Sequence, residues 1–170
     1  MTAPVVVLAI GNPSRGDDAL GPHLYGRLVE WLENAGLAGD FEVFEDFQLN
    51  IEHALDLAGR KLALFIDAGT GTPVPFHFYP VSAQREISHS SHALPPESVL
   101  QVFEQTMGGE PPPAYVLCVR GEDFALGAPL STAARQHAAA ACDFLFSLCQ
   151  QASPAHWQAA AERGMVMTAN

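Results

Sequence analysis

The chain predicts an α/β domain built on a mainly parallel sheet, and three observations carry that reading. Short apolar runs rich in β-branched residues recur, as in Val5-Val6-Val7-Leu8-Ala9-Ile10 and Leu62-Ala63-Leu64-Phe65-Ile66. Longer stretches of helical periodicity separate them. Glycine, proline and asparagine punctuate the boundaries. Alternation of this kind is the pattern of strands joined by helical crossovers.

The first strand is expected at 4–10. A helix follows at 19–34, with Leu20, Leu24, Leu28, Trp31 and Leu32 on one stripe and Gly36 beyond its end. The second strand is placed at 41–45, and a short helix at 51–58 is closed by Gly59. The third strand, 62–66, is continuously apolar, as befits a strand buried on both faces, and ends at Asp67 and the loop 68–73. Residues 76–81 alternate and are assigned to a sheet edge. A helix at 96–107 carries a proline in its first turn. After the loop 108–113 come a fifth strand at 114–119 and an alanine-rich helix at 131–150. Residues 1–150 read as a single domain, and 151–170, which lack clean periodicity, as a loosely structured tail.

Composition narrows the function. Of 170 residues, 48% are hydrophobic and 16% charged, which suits a packed core and not a disordered chain. Nineteen acidic against eight basic residues give a formal net charge of −11, and no basic cluster occurs. Nucleic acid and anionic membranes, which require Lys/Arg footprints, are therefore excluded as expected partners. No apolar run approaches the roughly 20 residues of a membrane span. The first residues enter a strand without a basic leader, so no signal peptide is expected and the protein is read as cytoplasmic. Three scattered cysteines form no disulfide framework; Cys142 and Cys149 read as helix packing and Cys118 as a strand residue.

The segment Gly11-Asn12-Pro13-Ser14-Arg15-Gly16-Asp17-Asp18 carries the chemistry. A glycine-bounded loop after a buried strand delivers two adjacent carboxylates to a helix start. A phosphate would meet negative charge there, so a cation suits the position better than a nucleotide. Asp17 fits a helix cap as well as it fits a site residue. In a doubly wound sheet, ligands bind beyond the carboxyl ends of the strands where strand order reverses. Asp18 and Asp67 both reach that crevice if strands one and three are neighbours. The loop Ser88-His89-Ser90-Ser91-His92 is expected on the same side. Two carboxylates and an imidazole make an open N/O donor set for a divalent transition metal. No Gly-x-Ser-x-Gly, His-Glu-x-x-His or Cys-x-x-Cys motif is present. Glu52-His53 reads as structural, with Ile51 and Leu55 docking the short helix.

Gly11-Asn12, Gly16-Asp17-Asp18 and Gly21-Pro22, then Ile66-Asp67-Ala68, then Ser91-His92, resemble the [NiFe]-hydrogenase maturation endopeptidases in order and spacing over about residues 4–150. The resemblance implies a three-layer fold, a twisted, mainly parallel five-stranded sheet with helices on both faces. It implies removal of a C-terminal extension from a hydrogenase large-subunit precursor after nickel insertion. Asp18, Asp67 and His92 match the family's metal-interacting and catalytic positions, with nickel supplied by the substrate and no permanently bound cofactor. Asn12, Asp17, Phe47, Gln48, Glu52 and His89 are candidate substrate contacts, and the enzyme is expected to be a monomer. One segment departs from the family: Glu45-Asp46-Phe47-Gln48-Leu49-Asn50 stands where many members carry an Asp-Gly-Gly-type sequence.

Two other readings fit parts of the pattern. A phosphoacceptor receiver-like domain shares acids after strands one and three, but it calls for a lysine after strand five, where Val119-Arg120-Gly121-Glu122 stands. A non-catalytic metal-binding α/β module would use the same three ligands and process nothing.

Overall fold

The computed structural model describes residues 2–84 and 94–168, with side chains through Gly164. Its centre is a five-stranded sheet in the order β2-β1-β3-β5-β4. The strands are β1 (Val5–Ile10), β2 (Phe41–Asp46), β3 (Leu62–Gly69), β4 (Phe76–Val81) and β5 (Ala114–Arg120). β1 pairs in parallel with β2 and β3, and β3 with β5; β4 closes the far edge antiparallel to β5. The mainly parallel sheet and the edge position of 76–81 are thus as the sequence predicts. The topology separates the chain from a receiver-like domain, because that doubly wound order runs 2-1-3-4-5 and here the last-but-one strand is reversed at the edge.

The helices are α1 (Leu20–Ala35), α2 (Pro96–Met107), α3 (Thr132–Gln150) and α4 (Pro154–Thr168). Alternation along each strand divides the core in two. Val5, Val7 and Ala9 of β1 face Leu20, Leu24, Leu28 and Leu32 of α1 together with α3 and α4. Val6, Leu8 and Ile10 face the opposite layer, formed by α2 and a 3₁₀ turn at Ile51–Leu57. Every residue of β1 is buried, which its unbroken apolar run requires of a central strand.

Three expectations are corrected. The region expected as a loose tail carries α4, which inserts the fully buried Trp157 beside Phe78 and Tyr115, and the indole N–H donates to the Leu148 carbonyl at 2.9 Å. One aromatic and two small residues, Ala160 and Ala161, make this contact, so no apolar stripe announces it. The 51–58 helix is a 3₁₀ turn docked through His53, Ala54 and Leu57, while Ile51 and Leu55 point outward at 61% and 63% exposure. β3 runs past Ile66 to Gly69, so Asp67 sits inside the ladder, in register with Cys118 of β5.

Candidate active site

Strand order reverses between β1 and β3, and the crevice beyond their carboxyl ends is where the two acids arrive. The loop after β1 leaves the sheet at Gly11, whose φ of 153° lies outside the range comfortable for a side chain; a Cβ there would collide with the Asp18 carbonyl. The close approach it permits brings Asp18 back onto the loop. Asp18 Oδ2 accepts the Asn12 N–H at 2.6 Å, and Asn12 Oδ1 accepts the Ser14 N–H at 2.9 Å. Among the described residues, Asp18 Oδ1 has no hydrogen-bond donor beside it.

Asp67 is contributed by the end of β3, on the sheet face it shares with Ala63 and Phe65. Burial pushes its carboxyl up to about 7, the Ala68 N–H donating to Oδ1 at 2.8 Å opposes that rise, and the neighbouring Asp18 charge adds to it. A carboxyl poised near neutrality beside a second carboxylate is the arrangement acid–base chemistry uses, because one group can hold a proton while the other stays ionised.

Asp17, a candidate substrate contact or helix cap by sequence, does not cap its own helix and is turned away from the surface. Its side chain is fully buried and turned toward the loop between β5 and α3. Oδ2 accepts Glu122 N–H at 2.7 Å, Asp123 N–H at 3.0 Å and the Ser131 hydroxyl at 2.7 Å, and Oδ1 accepts Ser131 N–H at 2.7 Å. Burial alone raises its pKa, but the donors from Ser131, Asp123 and Glu122 outweigh it and hold the carboxyl below its ordinary value. Ser131 in turn caps α3, accepting the Ala134 N–H at 3.1 Å. Asp17 therefore fastens the β1 loop to the start of α3, and Asp18 follows it in the chain. The sequence carried a signal for this, a serine just before an alanine-rich helix, but not the identity of its distant partner.

Asn12 and Glu52 remain at the surface of this region, as do Phe47 and Gln48, which are exposed just beyond β2. Gly11 N–H donates to the Asp46 carbonyl at 3.0 Å, so the 45–50 segment adjoins the acid loop. A cleft of about 290 Å³ between them is lined by Pro13, Pro22, Glu45 and Phe47 among others. His53 is structural: Nδ1 accepts Asn50 N–H at 2.9 Å and Nε2 lies 3.3 Å from Asp46 Oδ2. His89 and His92 lie outside the described residues. Among those described, no three His, Cys, Asp or Glu side chains form a metal-holding group.

Comparison with solved structures decides the architecture. A [NiFe] hydrogenase maturation protease from Thermococcus kodakarensis KOD1 superposes with a TM-score of 0.66 and 21% identity, over 88% of this chain and 94% of that one. The hydrogenase maturating endopeptidase of E. coli gives 0.63 and 17%, over 87% and 93%. The chain has the hydrogenase maturation protease fold. A peptidase of hydrogenase 2 maturation from Thaumarchaeota archaeon SCGC_AB-539-E09 matches as well, at 0.58 and 18% over 84% and 95%. No protein-family profile and no curated protein sequence matches the chain. In this fold the β1/β3 crevice holds Asp18 and Asp67, and no described helix is long and apolar enough to cross a membrane.

Proposed function

We propose that the protein is a peptidase that removes the C-terminal extension of a [NiFe]-hydrogenase large-subunit precursor once nickel has been inserted. The observation that carries the reading is the pairing of Asp18 with an Asp67 held near neutrality, at the switch point of a maturation-protease fold. Nickel enters as part of the substrate. Asp18, through its undonated oxygen, and Asp67 would meet it, with His92 added on the sequence resemblance alone. Hydrolysis needs a water deprotonated as it attacks the scissile carbonyl and a proton delivered to the departing amine. Asp67, half-protonated near pH 7, is suited to take the first proton and return it to the second site.

The test is the intact mass of a nickel-loaded precursor incubated with the protein, beside a nickel-free control. Loss of a C-terminal peptide from the loaded sample alone is expected. No cleavage of several different loaded precursors would overturn the peptidase reading in favour of a metal-binding module that processes nothing.

A further inference from the structure

Beyond the acid pair, the segment joining β2 to β3 presents a surface that the hydrolytic chemistry does not use. Phe47, Ile51 and Leu55 stand 65%, 61% and 63% exposed within nine residues. Among the large apolar side chains exposed in the described structure, the other three, Val74, Met107 and Leu126, are scattered along the chain. The exposure is built in. Leu49, Ala54 and Leu57 of the same segment are buried, and the Asn50–His53 capping pair fixes the turn, so the outward residues are held there by a rigid frame. Three large apolar side chains held outward in one short segment are the composition of an interaction surface.

The surroundings state the partner's charge. A groove of about 360 Å³ runs along the segment, lined by Glu45, Asp46, Glu52 and Asp56 with no lysine or arginine. Arg60, which adjoins the groove through its Nε donating to the Asp56 carbonyl at 2.9 Å, has its remaining donors taken by Glu42 at 2.9 Å and the Ala3 carbonyl at 2.9 Å. Glu45 and Asp46 also line the cleft against Pro13 and Pro22, so groove and acid loop form one continuous surface.

We infer that this surface docks a cationic amphipathic segment of the precursor, its apolar side chains on Phe47, Ile51 and Leu55 and its Lys/Arg side chains against Glu45 and Glu52. The inference rests on the proposed function and names the chemistry by which the substrate is held. Charged rims of this kind chiefly speed and orient encounter, while desolvated apolar anchors hold the complex.

The experiment measures binding and cleavage of the nickel-loaded precursor separately. Binding is followed by anisotropy of a fluorescently labelled precursor at two salt concentrations; cleavage is followed by intact mass. The variants are Phe47→Ser/Ile51→Ser/Leu55→Ser, Glu45→Gln/Glu52→Gln, and Met107→Ser as an exposed apolar control at the end of α2. The triple variant is expected to bind at least about tenfold more weakly, as for loss of interface anchors. The double variant is expected to lose most of the salt dependence. Met107→Ser and all thermal melting curves should match the parent. Parent-like binding by the first two variants overturns the docking surface while leaving cleavage intact, and so leaves the peptidase reading standing. Precursor that binds in this pattern but is never cut overturns the peptidase reading alone. Concentration-dependent self-association of the parent, abolished by the triple variant, would assign the surface to a second copy of the chain instead.

Discussion

Removing the Asp17 carboxylate should destabilise the protein more than any other change at the acid loop. The side chain is fully buried and accepts four hydrogen bonds, three from backbone N–H groups and one from a hydroxyl. Bonds to an ionised acceptor contribute about 1.5–3 kcal/mol each, so the gross interaction is on the order of 6–12 kcal/mol. Burying the charge cancels several kcal/mol of that. The cancellation is incomplete, because the carboxyl is held below its ordinary pKa and the folded state thus favours the ionised form. Asp17→Ala also leaves Glu122, Asp123 and Ser131 donors without an acceptor, and breaking a buried charged network from one side costs about 3–5 kcal/mol. For a chain of this size that corresponds to a fall in Tm of roughly 6–20 °C. The sign with pH follows from the lowered pKa: stabilisation is full above the unfolded value of 3.8 and is lost as pH falls through the folded one. The acid limb of the stability curve should therefore flatten in the variant. Thermal melts of Asp17→Ala and Asp18→Asn at pH 7 and between pH 4 and 2 decide the matter. An Asp17→Ala Tm within about 2 °C of the parent, at a scale where 1 kcal/mol moves Tm by about 2–4 °C, would refute the latch.

Other outcomes follow from the same geometry. Trp157→Ala should lose about 3–5 kcal/mol in urea denaturation, as for deletion of a large buried aromatic, because Trp157 is fully buried and its N–H is bound to Leu148; a loss under about 1 kcal/mol, the scale of a surface change, would mean that α4 is not docked. Asp67→Asn should be more stable than the parent at pH 8 by about 1–3 kcal/mol, below the roughly 4 kcal/mol that the full shift represents, since Asp67 is partly exposed. The sign is set by a folded pKa near 7 against 3.8 unfolded: parent stability rises as pH falls from 7 to 4, and that slope should be absent in the variant. Gly11→Ala should destabilise by more than the roughly 1 kcal/mol of a simple glycine replacement, because its Cβ meets the Asp18 carbonyl, and a melt at or above the parent's would show that the loop turns some other way.

The β-branched runs and leucine stripes were sufficient to announce the sheet, α1, α2 and α3, because central parallel strands must be apolar on both faces and surface helices on one. The positions of the acids after β1 and near the end of β3 followed from the same strands, because the loops beyond the carboxyl ends of neighbouring parallel strands converge on one crevice. What the sequence could not separate was Asp17 from Asp18. They are adjacent and chemically identical, and only folding turns one inward to Ser131, more than a hundred residues away, and leaves the other facing the crevice. The shift of Asp67 is tertiary as well, since it arises from burial and from the approach of Asp18. The same holds for α4, whose docking depends on Trp157 meeting Phe78 and Tyr115 from two different strands. Ile51 and Leu55 make the point in reverse. Sequence reads an apolar residue as buried, but the burial side of a short turn is fixed by what packs beneath it, and here that role fell to His53, Ala54 and Leu57.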